Sequence, residues 1–229
     1  MLLNLFPPPG FLGMQPHVEV EMYFRRLPHW RQPGATYFFT FRLADSLPQE
    51  KLAELKDFRD DWLRKNPPPQ SQEALSNFSL ENMRRIERWL DQGMGSCVLK
   101  DKRVAQIVAD SLLHFDGVRY ELASYVVMPN HVHGIVRPMG PAEIALEDIL
   151  RGWKGYISRL INEMLQRKGI LWQEESFDRI VRDVEHLYRA IQYIGMNPAK
   201  AGIARESWNR WVRPEWTALG WNFEDELGK

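Results

Sequence analysis

His131 and His133 stand two residues apart in the segment PNHVHGIV. In an extended strand alternate side chains share a face, and at about 3.3 Å rise per residue their Cα atoms lie roughly 7 Å apart. Two imidazoles at that separation can turn ring nitrogens onto one cation. A divalent ion needs further ligands. Asn197 is a candidate third donor through its amide oxygen, and it follows Tyr193 by one helical turn, so the two side chains share a face. A phenol beside a cation suits phosphodiester transfer: the cation draws charge from a nonbridging oxygen while the tyrosine oxygen attacks phosphorus. A free phenol titrates at about 10, so something must take its proton. Lys200 and a metal-bound water are the candidates. Each residue also has a plainer reading: hydrogen-bonded histidines, a helix C-cap before Pro198 at Asn197, a core aromatic at Tyr193. Tyr156, in the basic stretch RGWKGYISRL, and Tyr188, off the Tyr193 face, are the rival nucleophiles.

These residues need a strand and a helix to hold them. The aromatic and β-branched run Ala35–Leu43 reads as a strand. Helices are expected over Gln49–Lys65, with Pro48 at its start and Ser46 as a cap, then over Leu80–Leu90 and Lys102–Phe115. Pro67–Pro69 ends the first, and the polar stretch Gln70–Ser76 reads as a linker. Strands follow at Tyr120–Met128 and His131–Arg137, then a helix from Ala145 to Arg167, a short strand at Phe177–Val181, and a helix from Asp183 to Met196 stopped by Asn197–Pro198. This order predicts an α+β fold, a ferredoxin-like antiparallel sheet with helices on one face, plus an all-helical insertion at about 48–116. A Pro- and Gly-rich arm, 1–34, precedes the domain at 35–205, and a Trp-rich tail, 206–229, follows it.

Of 229 residues, 44% are hydrophobic and 26% charged, the balance of a soluble globular chain. Thirty basic and thirty acidic residues announce no polyanionic partner overall. Between Arg151 and Arg213, however, twelve Lys and Arg face seven Asp and Glu, and Trp153, Trp208, Trp211 and Trp216 lie beside cations. Aromatic rings among cations suit single-stranded nucleic acid, and Lys154, Arg159 and Lys200 are the expected DNA contacts. The single cysteine, Cys97, excludes an intrachain disulfide and a cysteine-based zinc site. Met1–Gly10 does not read as a signal peptide, and no run reaches membrane-spanning length, so the cytoplasm is expected. A histidine-based nucleotide hydrolase would need a third alternate histidine where Ile135 stands.

PNHVHGIV, WKGYISRLIN, LWQEESFDRIVRD and YIGMNPAKAGI occur in that order, after YFRRLPHWRQPGATYFFTFRLADSLP. Together they resemble the REP-associated tyrosine transposases of the single-tyrosine HUH class, over most of residues 23–205. The resemblance implies a metal-dependent endonuclease and strand transferase acting on single-stranded or hairpin DNA, such as repeated palindromes. It implies Tyr193 as the nucleophile, leaving a 5′-phosphotyrosine and a free 3′-hydroxyl. It also implies His131, His133 and Asn197 as ligands of Mg2+ or Mn2+. The helical stretch from Pro48 to Phe115 is bulkier than in compact members of that class. No membrane partner is expected, and a homodimer is left open. The alternative is a hairpin-binding regulator without catalysis.

Overall fold

The computed structural model describes residues 5–140 and 144–226; the first four residues of the expected arm and the last three of the expected tail lie outside them. In chain order the elements are β1 (Glu21–Phe24), β2 (Pro28–Arg31), β3 (Tyr37–Arg42), α1 (Gln49–Lys65), α2 (Gln72–Leu90) and α3 (Lys102–Leu113). Then come β4 (Tyr120–Val127), β5 (His131–Pro138), α4 (Leu146–Met164), β6 (Phe177–Ile180), α5 (Val184–Lys200), β7 (Asn209–Val212) and α6 (Pro214–Thr217). None of the described helices is long and apolar enough to cross a membrane.

Alternation along β3 and β5 decides the layers. Tyr37, Phe39, Phe41, Val132 and Val136 point to one face, where they pack against Val104, Val108 and Leu112 of α3 and Trp153, Ile157 and Ile161 of α4. Burying each of these large apolar side chains contributes about 1.5–3 kcal/mol. The five-stranded sheet is antiparallel throughout, in the order β6-β3-β5-β4-β7. Its first four strands, with α3 and α4 as the crossovers on one face, make the expected α+β, ferredoxin-like core. The helix α3, read from sequence as part of the insertion, belongs to this core; the added helical part is α1 and α2.

The opposite face carries Phe38, Val126 and Ile135, and it is covered by a different set. Leu187, Ile191 and Ile194 of α5 pack there, with Met83 of α2 and Trp216, Trp221 and Phe223 of the tail. The helix α5 is thus an addition beyond the two-helix face, and it lies on the side where His131 and His133 point.

Several boundaries differ from expectation for physical reasons. Helix α2 begins at Gln72 because Ser71 caps it, its hydroxyl accepting from the Ala74 amide at 3.1 Å. The residues read as a linker are its first turns, and Leu75 is already buried. Ser46 does not cap α1; it donates to the Leu43 carbonyl at 2.8 Å. Helix α5 runs through Pro198 to Lys200. Proline in a final turn forfeits one backbone bond, here that to the Ile194 carbonyl; the Asn197 side-chain amide separately donates to the Tyr193 carbonyl at 2.7 Å. The hairpin β1–β2 and the edge strand β7 lie outside the expected elements.

That hairpin is tied down by a buried polar network. Asp178 of β6, 3% exposed, accepts from Arg31 and from His29 Nδ1 at 2.7 Å, and Glu175 meets His29 Nε2 at 3.2 Å. Burial alone would lower the His29 pKa, but the bonds to Asp178 and Glu175 outweigh it and raise it from 6.5 to about 9. A raised folded-state pKa contributes stability that is complete below pH 6.5 and is lost as pH rises through about 9. Thermal unfolding should therefore lose stability across that alkaline window, and His29→Gln should flatten this limb. An equally steep limb in the variant would show that His29 is not its cause.

Candidate functional site

The site begins at the centre of the sheet. Strand β5 has neighbours on both sides and helices pack on both faces of the sheet, so His131 to Val136 are buried. Gly134, between His133 and Ile135, keeps the far face close-packed: a Cβ there would stand 2.5 Å from the Phe39 ring. On the near face His131 and His133 are 1% and 0% exposed, with ring centroids 4.6 Å apart. Across β3, Arg42 stands opposite His131 and Thr40 opposite His133.

Hydrogen bonds orient both rings. Asn130 Nδ2 donates to the Leu90 and Met94 carbonyls at 3.2 and 3.1 Å, which fixes its amide. Its Oδ1 then faces His131 Nδ1 at 2.8 Å, so that nitrogen carries the proton and Nε2 keeps its lone pair. His133 Nδ1 meets the Thr40 hydroxyl at 2.7 Å, and its Nε2 is buried without a hydrogen-bond partner among the described residues. Burial pushes the His131 pKa down to about 3 and that of His133 well below its ordinary value. Both imidazoles are neutral at physiological pH, the state in which they bind metals.

Helix α5 brings the phenol to them. The Tyr193 ring lies 5.3 Å from His133, centroid to centroid, and Phe38 contacts both rings. Asn197 is 2% exposed one turn on. Its amide nitrogen holds the Tyr193 carbonyl, which leaves Oδ1 as its donor for a cation. Lys200 Nζ sits 5.0 Å above the Tyr193 ring. Tyr193, Asn197 and Lys200 line a cleft of about 480 Å³ with Glu81, Arg84, Glu87, Arg88 and Asp91, from α2 and its end; the two histidines are not part of its lining.

Burial first, and then the Glu87 carboxylate beside it, push the Tyr193 phenol far above its ordinary pKa; the Asn197 amide opposes the shift. Burial in turn raises the Glu87 carboxyl. The donor set suits a divalent ion: two neutral imidazoles held by outer hydrogen bonds, one with an orphaned nitrogen. Among the described residues no group of three His, Cys, Asp and Glu side chains could hold a metal. Asn197, on the facing helix, offers a neutral oxygen beside the pair.

The fold thus gathers His131, His133, Tyr193, Asn197 and Lys200 on one face. Lys154 and Arg159 are not with them. They ride on α4, which covers the other face of the sheet. Lys154 donates to the Glu174 carbonyl at 2.6 Å, and burial lowers its pKa to about 8. Arg159 stacks on exposed Tyr156 at 5.2 Å, and Tyr188 bonds Glu224 at 2.9 Å. Sequence reasoning missed Glu87, Thr40 and Asn130. Asn130 and Thr40 were within reach, being next to His131 and in the strongest strand; Glu87 carried no local signal.

No protein-family profile matches the chain, and no curated protein does. Among solved structures it is similar to a REP-associated tyrosine transposase bound to a REP hairpin, at 16% identity over 80% of this chain and 76% of that one, with a TM-score of 0.41.

The phenol's environment yields a direct check. Near-ultraviolet titration should find Tyr193 ionising after the other accessible tyrosines, and Glu87→Gln should move it down by removing the adjacent negative charge. An unmoved titration in Glu87→Gln would mean that burial alone sets it.

Proposed function

We propose that the chain is a metal-dependent nuclease and strand transferase for single-stranded or hairpin DNA, with Tyr193 as its one nucleophile. One observation carries this reading: two neutral, buried histidines, one with an unpartnered Nε2, share a face with a phenol 5.3 Å away on a rigid helix. A structural pair of histidines would satisfy its nitrogens. The sequence resemblance to single-tyrosine transposases supports the same residues.

His131, His133 and Asn197 would hold Mg2+ or Mn2+, which when bound supplies charge withdrawal at a nonbridging phosphate oxygen. The chain's own groups do the rest. Tyr193 Oη forms the bond to phosphorus as the bond from phosphorus to the 3′ oxygen breaks. The products are a 5′-phosphotyrosine and a 3′-hydroxyl. Glu87, beside the phenol and with a raised pKa, is suited to take its proton and return it to the leaving oxygen. Lys200 stands over the ring, where its charge favours the phenolate. Strand transfer is the reverse attack by a new 3′-hydroxyl on the phosphotyrosine.

The test is cleavage of end-labelled hairpin DNA with Mn2+. Tyr193→Phe removes one oxygen and little packing, so it should bind DNA and stop cleaving. His131→Ala and His133→Ala should also stop cleavage, and full activity in excess chelator would refute the metal's role. Asn130→Ala frees His131 to take the other tautomer and should weaken Mn2+ binding by roughly 10–100-fold. Unchanged Mn2+ affinity in that variant would remove His131 from the ligand set.

A further inference from the structure

Beside the histidines, the same face of β3 carries a cation with no counter-ion among the described residues. Arg42 is 8% exposed, and it stands across from His131. Its Nη1 donates to the Ser46 hydroxyl at 3.0 Å and the Leu43 carbonyl at 3.4 Å, both neutral acceptors. Burial, and then repulsion from Arg26, bring its pKa down to about 10, so it stays charged at neutral pH. A buried guanidinium without an anion is costly, and few sites keep one that is not used.

Arg42 lines a cavity of about 380 Å³ between β3, β6 and the two added helices α1 and α2. That is the size of a small-molecule site. Arg26, Lys56 and Arg59 line it too, and Phe78 and Phe177 contribute to its apolar wall. Among the described residues Glu175 is the one acidic side chain lining it, and its carboxylate is taken: it accepts from the Arg26 and Leu27 amides at 2.9 and 3.0 Å and meets His29. Arg26 and Arg59 pair with solvent-facing carboxylates, Glu174 and Asp60. Cations and aromatic rings lining one cavity match the two parts of a nucleotide.

We propose that this cavity is a nucleotide subsite in which Arg42 binds a phosphate of single-stranded DNA, Lys56 and Arg59 flank it, and the base lies against Phe78 and Phe177. The assignment rests on the single-strand reading of the adjacent histidine site. It also explains the added helices α1 and α2, which roof the subsite.

Calorimetric titration of the full chain with thymidine monophosphate, thymidine and inorganic phosphate tests it without any cleavage. The monophosphate should bind, phosphate more weakly, and thymidine not measurably. Arg42→Met should weaken the monophosphate by about tenfold or more, as expected for losing a charge-assisted bond. Binding of a labelled single strand across a salt series supplies a second readout. Arg42→Met, Lys56→Gln and Arg59→Gln should each lower the logarithmic salt slope by about 0.7, the share of one neutralised phosphate. Lys56 and Arg59 are far enough toward solvent that their variants should fold normally. Without ligand, Arg42→Met should melt higher, because it removes an uncompensated buried charge. Equal monophosphate binding by wild type and Arg42→Met overturns the subsite, as does an unchanged salt slope in all three variants. Phosphate binding as tight as the monophosphate overturns the nucleotide assignment. If hairpin DNA is never cleaved while these effects hold, the catalytic reading fails and the subsite stands.

Discussion

The structure turns on two imidazoles kept neutral and dry on the central strand of a sheet. Burial disfavours their charged form, and hydrogen bonds with Asn130 and Thr40 engage one nitrogen of each ring. The remaining nitrogen of His133 is left without a partner among the described residues. An orphaned buried ring nitrogen costs about 1–3 kcal/mol. The surrounding fold offsets that cost with two well-packed faces.

The neighbouring elements make sense around that centre. Helix α5 crosses the histidine face on Leu187, Ile191 and Ile194, which sets the turn carrying Tyr193 and Asn197 against His133. Helix α2 closes the other side. Its C-terminal Leu90 carbonyl helps fix the amide of Asn130, and hence the tautomer of His131, while Glu87 meets the phenol. Helix α2 therefore touches both Tyr193 and the residue that orients His131, and α1 and α2 together bound the cavity that holds Arg42. A phosphodiester lying across this face would meet cations on either side of the histidines: Lys200, Arg84 and Arg88 near the phenol, Arg42 beyond.

Local periodicity made part of this legible. The two-residue spacing of His131 and His133 on a strand, and the four-residue spacing of Tyr193 and Asn197 on a helix, are face-sharing patterns that need no tertiary knowledge. The order of the strands was enough for the ferredoxin-like sheet, while the crossover helix α3 was counted with the insertion. What spacing does not encode is which face of the sheet a distant helix covers. Lys154 and Arg159 sit in a basic, aromatic segment, but α4 packs on the far face, away from His131 and His133, and Lys154 donates to the Glu174 carbonyl. Glu87 reaches Tyr193 only because α2 folds back over the sheet. The strands PHWR and NRWV were missed because four residues of mixed polarity show no alternation. The start of α2 was missed because its exposed polar first turn resembles a linker until Ser71 is seen as a cap.

The central claim is that this phenol, among seven tyrosines, bonds to phosphorus. The most direct measurement is mass-spectrometric peptide mapping of the protein after reaction with hairpin DNA and Mn2+ and nuclease trimming of the bound strand. The expected result is a nucleotide phosphate attached to the peptide that contains Tyr193, joined through the phenol oxygen. A nucleotide found on Tyr156 or Tyr188, or cleavage that leaves no adduct at any tyrosine, would contradict it.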